Sequence, residues 1–290
     1  MLHVFILRII SCEIILRMKQ PLFSVIIPTL NEEAFLPKLL GSLAAQTNKN
    51  FEVIVVDGSS KDKTIQEAKT FEKILPSLKI VVTKKPSLPK QRNLGAGIAS
   101  GKWFVFVDAD SIFLPYFIDR VKVFIDEHDP KLFTTWFRPD NENPKDAVST
   151  LFANVYVEAT LILKKPLTPG PLTIIRRDAF DAVGGYDEEH AFNEDVDFGL
   201  RLYRMGVHLS ILRESLYVWS LRRFRKEGTL KVLNQYVVSF FPILLFNRSM
   251  KWMPGYVMGG HLYGKKKKIQ RSVLKGYERK LKSIMKELFA

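Results

Sequence analysis

Cysteine is nearly absent from this 290-residue sequence: Cys12 stands alone. One thiol excludes an intrachain disulfide and a cysteine-based zinc site. It also fits a reducing, cytoplasmic setting. Long apolar runs are missing too. Met1–Met18 is apolar but broken by Arg8, Glu13 and Arg17, and Val232–Phe246 falls short of the roughly 20 residues a spanning helix needs. The first stretch carries no clear small-residue cleavage site. It leaves open an interfacial helix, a packing arm, or a start at Met18. The second leaves open a buried helix or an in-plane membrane contact. No internal repeat is evident. Acidic residues are in deficit, with 30 Asp and Glu against 44 Lys and Arg for a net charge of +14.

What is present is that of a globular chain, 47% hydrophobic and 26% charged, which excludes global disorder. The length suits one large α/β domain with an appendage, or two small domains. The positive excess is concentrated at one end. Lys265–Ala290 holds ten Lys and Arg against only Glu278 and Glu287. Such a segment favours anionic partners, lipid headgroups or nucleic acid, or else forms a solvated helix face.

The first half alternates two patterns. Short β-branched runs (Phe23–Pro28, Phe51–Val56, Lys79–Thr83, Trp103–Val107) alternate with helical ones. Asn31 is placed to cap a helix whose first turn holds Glu32 and Glu33 and whose Leu36, Leu39, Leu40 and Leu43 share a face. Helices are also expected at Lys61–Leu75 and Lys90–Ala99. Strands apolar on both faces suit a parallel sheet covered by helices, and the alternation predicts a doubly wound α/β fold. Ligands on such sheets bind beyond the strands' carboxyl ends, here marked by Asn31, Asp57, Lys84 and Asp108. Beyond Pro139 the alternation weakens. Helices are expected at Ala147–Leu163 and Glu194–Met205, and strands at Leu172–Ile175, Val207–Leu212 and Leu216–Trp219.

Asp108 and Asp110, two apart on an extended chain, point the same way. Adjacent carboxylates repel unless a cation or proton lies between them, so a hard divalent ion such as Mg²⁺ or Mn²⁺ is one reading. A helix cap at Asp110 is the other. Asp57 ends a strand before Gly58-Ser59-Ser60, and either accepts from a nucleobase N–H or simply forms the turn. Gln91-Arg92-Asn93-Leu94-Gly95 offers small residues for close helix approach and an arginine within reach of phosphate or ribose. Glu194 and Asp195 open a helix, where the dipole favours the anion a general base requires; ordinary acid enrichment reads the same way. Arg222 and Arg223 suit a pyrophosphate in bidentate fashion, or make a solvated basic turn.

In combination these segments resemble the family 2 glycosyltransferases. The resemblance is carried by Ser24–Glu33 (SVIIPTLNEE), Ile54–Thr64 (IVVDGSSKDKT), Gln91–Asp110 (QRNLGAGIASGKWFVFVDAD), Val183–Asp187 (VGGYD), Asn193–Arg201 (NEDVDFGLR) and Ser220–Phe224 (SLRRF). It implies a GT-A fold, a mostly parallel sheet flanked by helices with a C-terminal helical appendage. The domain would span 21–228, between an arm at 1–20 and a basic helical region at 229–290. It also implies roles. Pro28, Asn31 and Glu33 would line the nucleotide pocket and Asp57 would read the base. Arg92 would lie near the donor. Asp108 would meet the ribose or the metal, Asp110 would ligate Mg²⁺ or Mn²⁺, Asp195 would be the base, and Arg222 with Arg223 would close over the diphosphate. His208 and His261 are third-ligand candidates by chemistry alone.

The implied reaction is inverting transfer from a UDP- or GDP-sugar to an acceptor hydroxyl or phosphate. The Gln-x-x-Arg-Trp segment of processive synthases is not evident, which favours single addition. The acceptor would be lipid-linked or a glycan, on a cytoplasmic enzyme in peripheral contact with anionic membrane. Alternatives are a soluble enzyme for a protein or small-molecule acceptor, and a binding protein without catalysis. Nucleic acid is set aside because no binding motif accompanies the charge.

Overall fold

The β-branched runs become strands because each alternates side chains between two helix-covered faces. A computed structural model describes residues 20–253 apart from 142, 163–167 and 247. All but the last residue of the arm at 1–20, together with Cys12, His261 and the basic segment from Lys265, lies outside the described residues. Strands β1 (Phe23–Thr29), β2 (Phe51–Asp57), β3 (Leu78–Val82), β4 (Trp103–Val107), β5 (Ser111–Phe113), β6 (Leu132–Pro139), β7 (Leu172–Arg176) and β8 (Leu209–Trp219) form one eight-stranded sheet in the order β3-β2-β1-β4-β7-β6-β8-β5. β1, β2, β3 and β4 pair in parallel, as do β6 and β8; β4–β7, β6–β7 and β5–β8 are antiparallel. The fold class read from the sequence is the one observed, with an antiparallel graft on a parallel half.

β1, β2 and β4 are buried along their whole length. Val25, Ile27, Val53, Val55, Val105 and Val107 face one core, under helices α1 (Leu36–Ala44) and α4 (Phe117–His128). Ile26, Ile54, Val56, Phe104 and Phe106 face the other, with α3 (Leu88–Ile98), α6 (Arg177–Val183) and α7 (Glu194–Arg204). This is the period-2 alternation of a strand buried on both faces. α3 lies hard against the sheet: a Cβ on Gly95 would stand 2.4 Å from Ile26 Cγ2, whereas one on Gly97 meets nothing within 4 Å. Close approach is therefore the work of Gly95 alone of the two. At the opposite end of the sheet from the site, buried Glu52 accepts from Ser24 Oγ (2.7 Å), Ser100 Oγ (2.6 Å) and Lys79 Nζ (2.8 Å).

Several boundaries differ from expectation. Asn31 caps no helix. It adopts φ 55°, and α1 begins only at Leu36 with Pro37 in its first turn, so Glu32 and Glu33 belong to the preceding loop. The helix expected at Lys61–Leu75 is regular only as α2 (Thr64–Lys69). Val207–Leu212 and Leu216–Trp219 are one strand, whose pairing with β6 shifts register near Trp136 and so breaks the apolar pattern in two. Arg222 and Arg223 begin a short helix, α8 (Arg222–Glu227), rather than a loop. Two further helices complete the description, α5 (Pro144–Ile162) and α9 (Thr229–Phe246).

Candidate active site

β1 lies between β2 and β4, so the connections leave it in opposite directions and open a crevice at the carboxyl ends. Three loops at that end each hold a non-glycine residue at positive φ: Asn31 (55°), Ser59 (65°) and Asn193 (55°). Such conformations cost of order 1–3 kcal/mol each and persist where the surroundings over-determine them. At Asn31 the surroundings are visible. Its N–H donates to Ser60 Oγ (2.7 Å) and its Oδ1 accepts from Lys61 N (2.7 Å). Glu33 is exposed and accepts from Lys63 N (2.9 Å). Pro28 is buried within β1, in register with Val56.

Asp57 is fully buried. Its carboxylate accepts from Thr29 Oγ1 (3.1 Å) and from Ser60 N (2.8 Å) and Oγ. The turn-forming role is therefore present in full.

The Asp108-Ala109-Asp110 triplet follows β4 directly. The helix-cap reading of Asp110 is excluded, because Ser111 opens β5 and the next helix starts at Phe117. Burial pushes Asp108 up to about 7, and the neighbouring Asp110 and Glu194 charges add to it against Arg92. Asp110 is pushed up to about 6, again by burial first, with Glu32 adding and Arg222 opposing. Tyr217, buried on β8 beside both, is raised by burial and by their charges.

Two arginines hold this acidic group together. Arg92 is 1% exposed; Nη1 donates to Glu194 Oε1 (3.0 Å), and Nη2 to Gly170 O (3.0 Å) and Asp108 Oδ1 (3.4 Å). Its guanidinium also lies 5.1 Å from the Tyr186 ring centroid. Arg92 thus faces protein rather than open crevice, and it ties the end of β4 to the start of α7 across the fold. Arg222 donates to Glu32 through both Nη atoms (2.8 and 2.6 Å) and pairs Asp110 Oδ2 through Nε (2.9 Å), over the Phe35 ring. Arg223 instead pairs with Glu227 of its own helix (3.8 Å).

Asp195 stands beside Glu194 in the first turn of α7. Oδ1 accepts from Val196 N (2.8 Å), and its backbone carbonyl accepts from Thr168 Oγ1. The carboxylate keeps some solvent access although protein surrounds it. Burial, then the Glu194 charge, push it up to about 7 against the pull of Arg92. A Cβ on Gly170 would lie 2.7 Å from Asp195 Oδ2, so glycine there leaves room at the carboxylate. Pattern reasoning missed Glu32, Gly170, Tyr186 and Tyr217 as members of this site. The adjacent Glu32-Glu33 pair was a signal for the first and the Val183–Asp187 segment for Tyr186; Gly170 and Tyr217 are brought in only by the fold.

The triplet fits a hard divalent cation. Its donors are all carboxylate oxygens, and their proton affinity is raised by burial first and by neighbouring carboxylates second, against the pull of Arg92 and Arg222. His208 is not a third ligand. It is exposed, edge-on to Tyr203, and lies beyond the far end of α7, about 16 Å of helix from Glu194. Asp187, His190 and Asp197 also lie together. Their atoms are engaged, His190 with Asp187 and Ser249 (2.9 Å each), Asp197 with Arg201 (2.7 Å), and Asp187 with Lys251 (3.6 Å).

Comparison with known proteins gives the geometry a context. The family model for glycosyl transferase family 2 matches residues 24–184, ending before Glu194. A PGL/p-HBAD biosynthesis glycosyltransferase of Mycobacterium bovis is 31% identical over 196 residues, 64% of this chain and 71% of that protein. The poly(ribitol-phosphate) beta-N-acetylglucosaminyltransferase TarS of Staphylococcus aureus is 30% identical over 207 residues; the match covers 69% of this chain and 36% of TarS. The crystal structure of TarS 1–349 in complex with UDP-GlcNAc superposes with a TM-score of 0.57 at 26% identity, over 68% of this chain and 58% of that one. A mannosyltransferase from Pyrobaculum calidifontis in complex with GDP-Man and Mn²⁺ has a TM-score of 0.57 over 78% of this chain and 68% of that one; at 18% identity the likeness speaks to the fold alone.

Proposed function

The chain belongs to glycosyl transferase family 2 and is a glycosyltransferase of the nucleotide-sugar class; from that premise we propose that it is an inverting, divalent-metal-dependent enzyme that adds a single sugar from a UDP- or GDP-linked donor. The observation that carries the proposal is the Arg92 bridge. One buried guanidinium contacts both Asp108, beside the metal-binding candidate, and Glu194, beside the candidate base. In this reading the bridge would hold donor and acceptor chemistry in one place, with Arg92 and Glu194 102 positions apart.

In this reading, Asp195 accepts the proton of the acceptor hydroxyl. The resulting oxygen bonds to the anomeric carbon as the bond to the diphosphate breaks, on the opposite face. A carboxylate pushed up to about 7 suits a base working near neutrality. Mg²⁺ or Mn²⁺, held by Asp110 with Asp108, would supply charge neutralisation at the departing diphosphate. Asp108 would otherwise serve the ribose. Pro28, Asn31, Glu33 and Asp57 shape the nucleotide end, with the Asn31–Ser60 and Asp57–Ser60 bonds fixing those loops. Arg222, now shared by Glu32 and Asp110, would turn to the diphosphate when donor and metal arrive, with Arg223 beside it. The acceptor is proposed to be a glycan or lipid-linked hydroxyl.

A thermal-shift panel of UDP- and GDP-sugars with Mg²⁺ and Mn²⁺ tests the reading. A ligand at 100 times its Kd stabilises by about 2.7 kcal/mol, or roughly 5–10 °C for a domain of this size. One donor with metal should show it, and chelation should remove it. No shift with any donor and either metal would sink the proposal.

A further inference from the structure

α5 and α9 carry apolar side chains on two faces each, and only one face of each is used by the fold. On α5, Ala153, Tyr156 and Val157 pack against the cores. On α9, Val232 and Ile243 are 1% exposed. Tyr156 and Ile243 meet over Val196 and Leu200 of α7, so the two helices neighbour one another beside the Glu194–Asp195 turn. The opposite faces are open. Val148, Leu151, Phe152 and Val155 recur at i, i+3, i+4 and i+7 and are each more than half exposed. Val237, Val238, Phe241 and Leu245 form the matching stripe on α9, with Phe241 at 55% and Leu245 at 66%. Each stripe presents on the order of 300–400 Å² of apolar surface, as much as the largest patch on a typical monomer.

We propose that these two stripes dock the enzyme on the surface of an anionic lipid bilayer, lying in its plane. Three observations select this occupant. No helix among the described residues is long and apolar enough to cross a membrane, and α9 carries Pro242 within its 18 residues. For these two helices that leaves in-plane contact, in which an apolar face sinks to the headgroup boundary. Trp252, 65% exposed just beyond α9, is of the type that settles at that boundary. The chain then continues into Lys265–Ala290, with ten Lys and Arg against two acids, whose charge complements anionic headgroups. This inference does not depend on the proposed reaction, although it would bring Asp195 close to a lipid-linked hydroxyl.

The test is flotation of the full-length protein with phosphatidylcholine vesicles, with and without phosphatidylglycerol. Two doubly substituted variants accompany it, Phe241→Glu with Leu245→Glu, and Leu151→Glu with Val155→Glu. All four positions are open to solvent, so the melting temperature should not change. The wild type should float with phosphatidylglycerol vesicles, less with phosphatidylcholine alone, and less in high salt. Each variant should lose at least about tenfold in binding, since burial of each large apolar side chain contributes more than that. Failure of the wild type to bind anionic vesicles overturns the inference. So does undiminished binding of both variants, which would leave the basic segment acting alone. A lowered melting temperature in the variants would mean that residues 254–290 cover the stripes, and conversion of a dimer to a monomer would mean that a second copy does; either result also overturns it.

Discussion

Replacing Asp195 by asparagine should make the protein more stable and nearly inactive at once. The carboxylate is surrounded by protein next to Glu194, and it is pushed up from 3.8 to about 7 by burial first and that charge second. Between those two values the native state binds a proton that the unfolded chain does not. Wild-type stability therefore falls as pH rises through that window and levels off above about 7. Taken whole, the displacement corresponds to roughly 4 kcal/mol. Asp195 lies among the charges of Glu194, Arg92 and Asp108 and keeps some solvent, so about half, ~2 kcal/mol, is expected at pH 8. Asparagine is neutral and its Oδ1 can keep the Val196 N–H bond. Urea melts of both proteins should coincide near pH 3 and separate steadily to pH 7, with the variant ~2 kcal/mol more stable above it. Over the same range, wild-type kcat/KM should climb to a plateau above about pH 7, and the variant should lose on the order of 10²-fold or more in kcat. Turnover within threefold of wild type would rule out Asp195 as the base, and equal stabilities at pH 8 would rule out its raised proton affinity.

Arg92→Met should cost about 3–5 kcal/mol in denaturant melts, because it strands Glu194 and Asp108 without their buried counter-charge; the loss should shrink at acid pH as the carboxylates take protons. Gly95→Ala should destabilise by about 1–3 kcal/mol through the clash with Ile26, while Gly97→Ala, on an open helix face, should gain about 0.5–1 kcal/mol; equal melting temperatures for the two would contradict the packing described for α3. Glu52, half a fold away from the site, is held down to about 2 from 4.5 by Lys79 and the Ser100 and Ser24 hydroxyls, which outweigh burial. Its contribution, up to ~3 kcal/mol, is present above pH 4.5 and lost as pH falls toward 2, so Glu52→Gln should melt lower than wild type at pH 7 and match it near pH 2.

The parallel half of the sheet was legible in the sequence because each strand is buried on both faces and so reads as an unbroken apolar run. β4 and the triplet after it are the clearest case: FVFV allows only one register before Asp108. β8 was harder. Its register shift against β6 places Glu214 and Ser215 mid-strand, and the pattern looks like two short strands. Asn31 misled for a related reason, since a capping side chain and an αL turn residue are the same residue type; only the Ser60 and Lys61 bonds tell them apart. Arg92 shows the limit most clearly. A lone arginine beside glycines suggests a ligand contact, and nothing local announces that Glu194, 102 positions on, will close over it. Pairings of that separation are decided by topology, which brings Arg92 of α3 against Glu194 at the start of α7.

In the proposed reaction Asp110, with Asp108, holds a divalent ion together with a nucleotide diphosphate. Mn²⁺ titration monitored by electron paramagnetic resonance, with UDP or GDP present and absent, addresses it directly on wild type and Asp110→Asn. Wild type should bind Mn²⁺ saturably and more tightly with one nucleotide, and the variant should lose that nucleotide-dependent binding. Equal Mn²⁺ binding by both proteins in the presence of that nucleotide would contradict it.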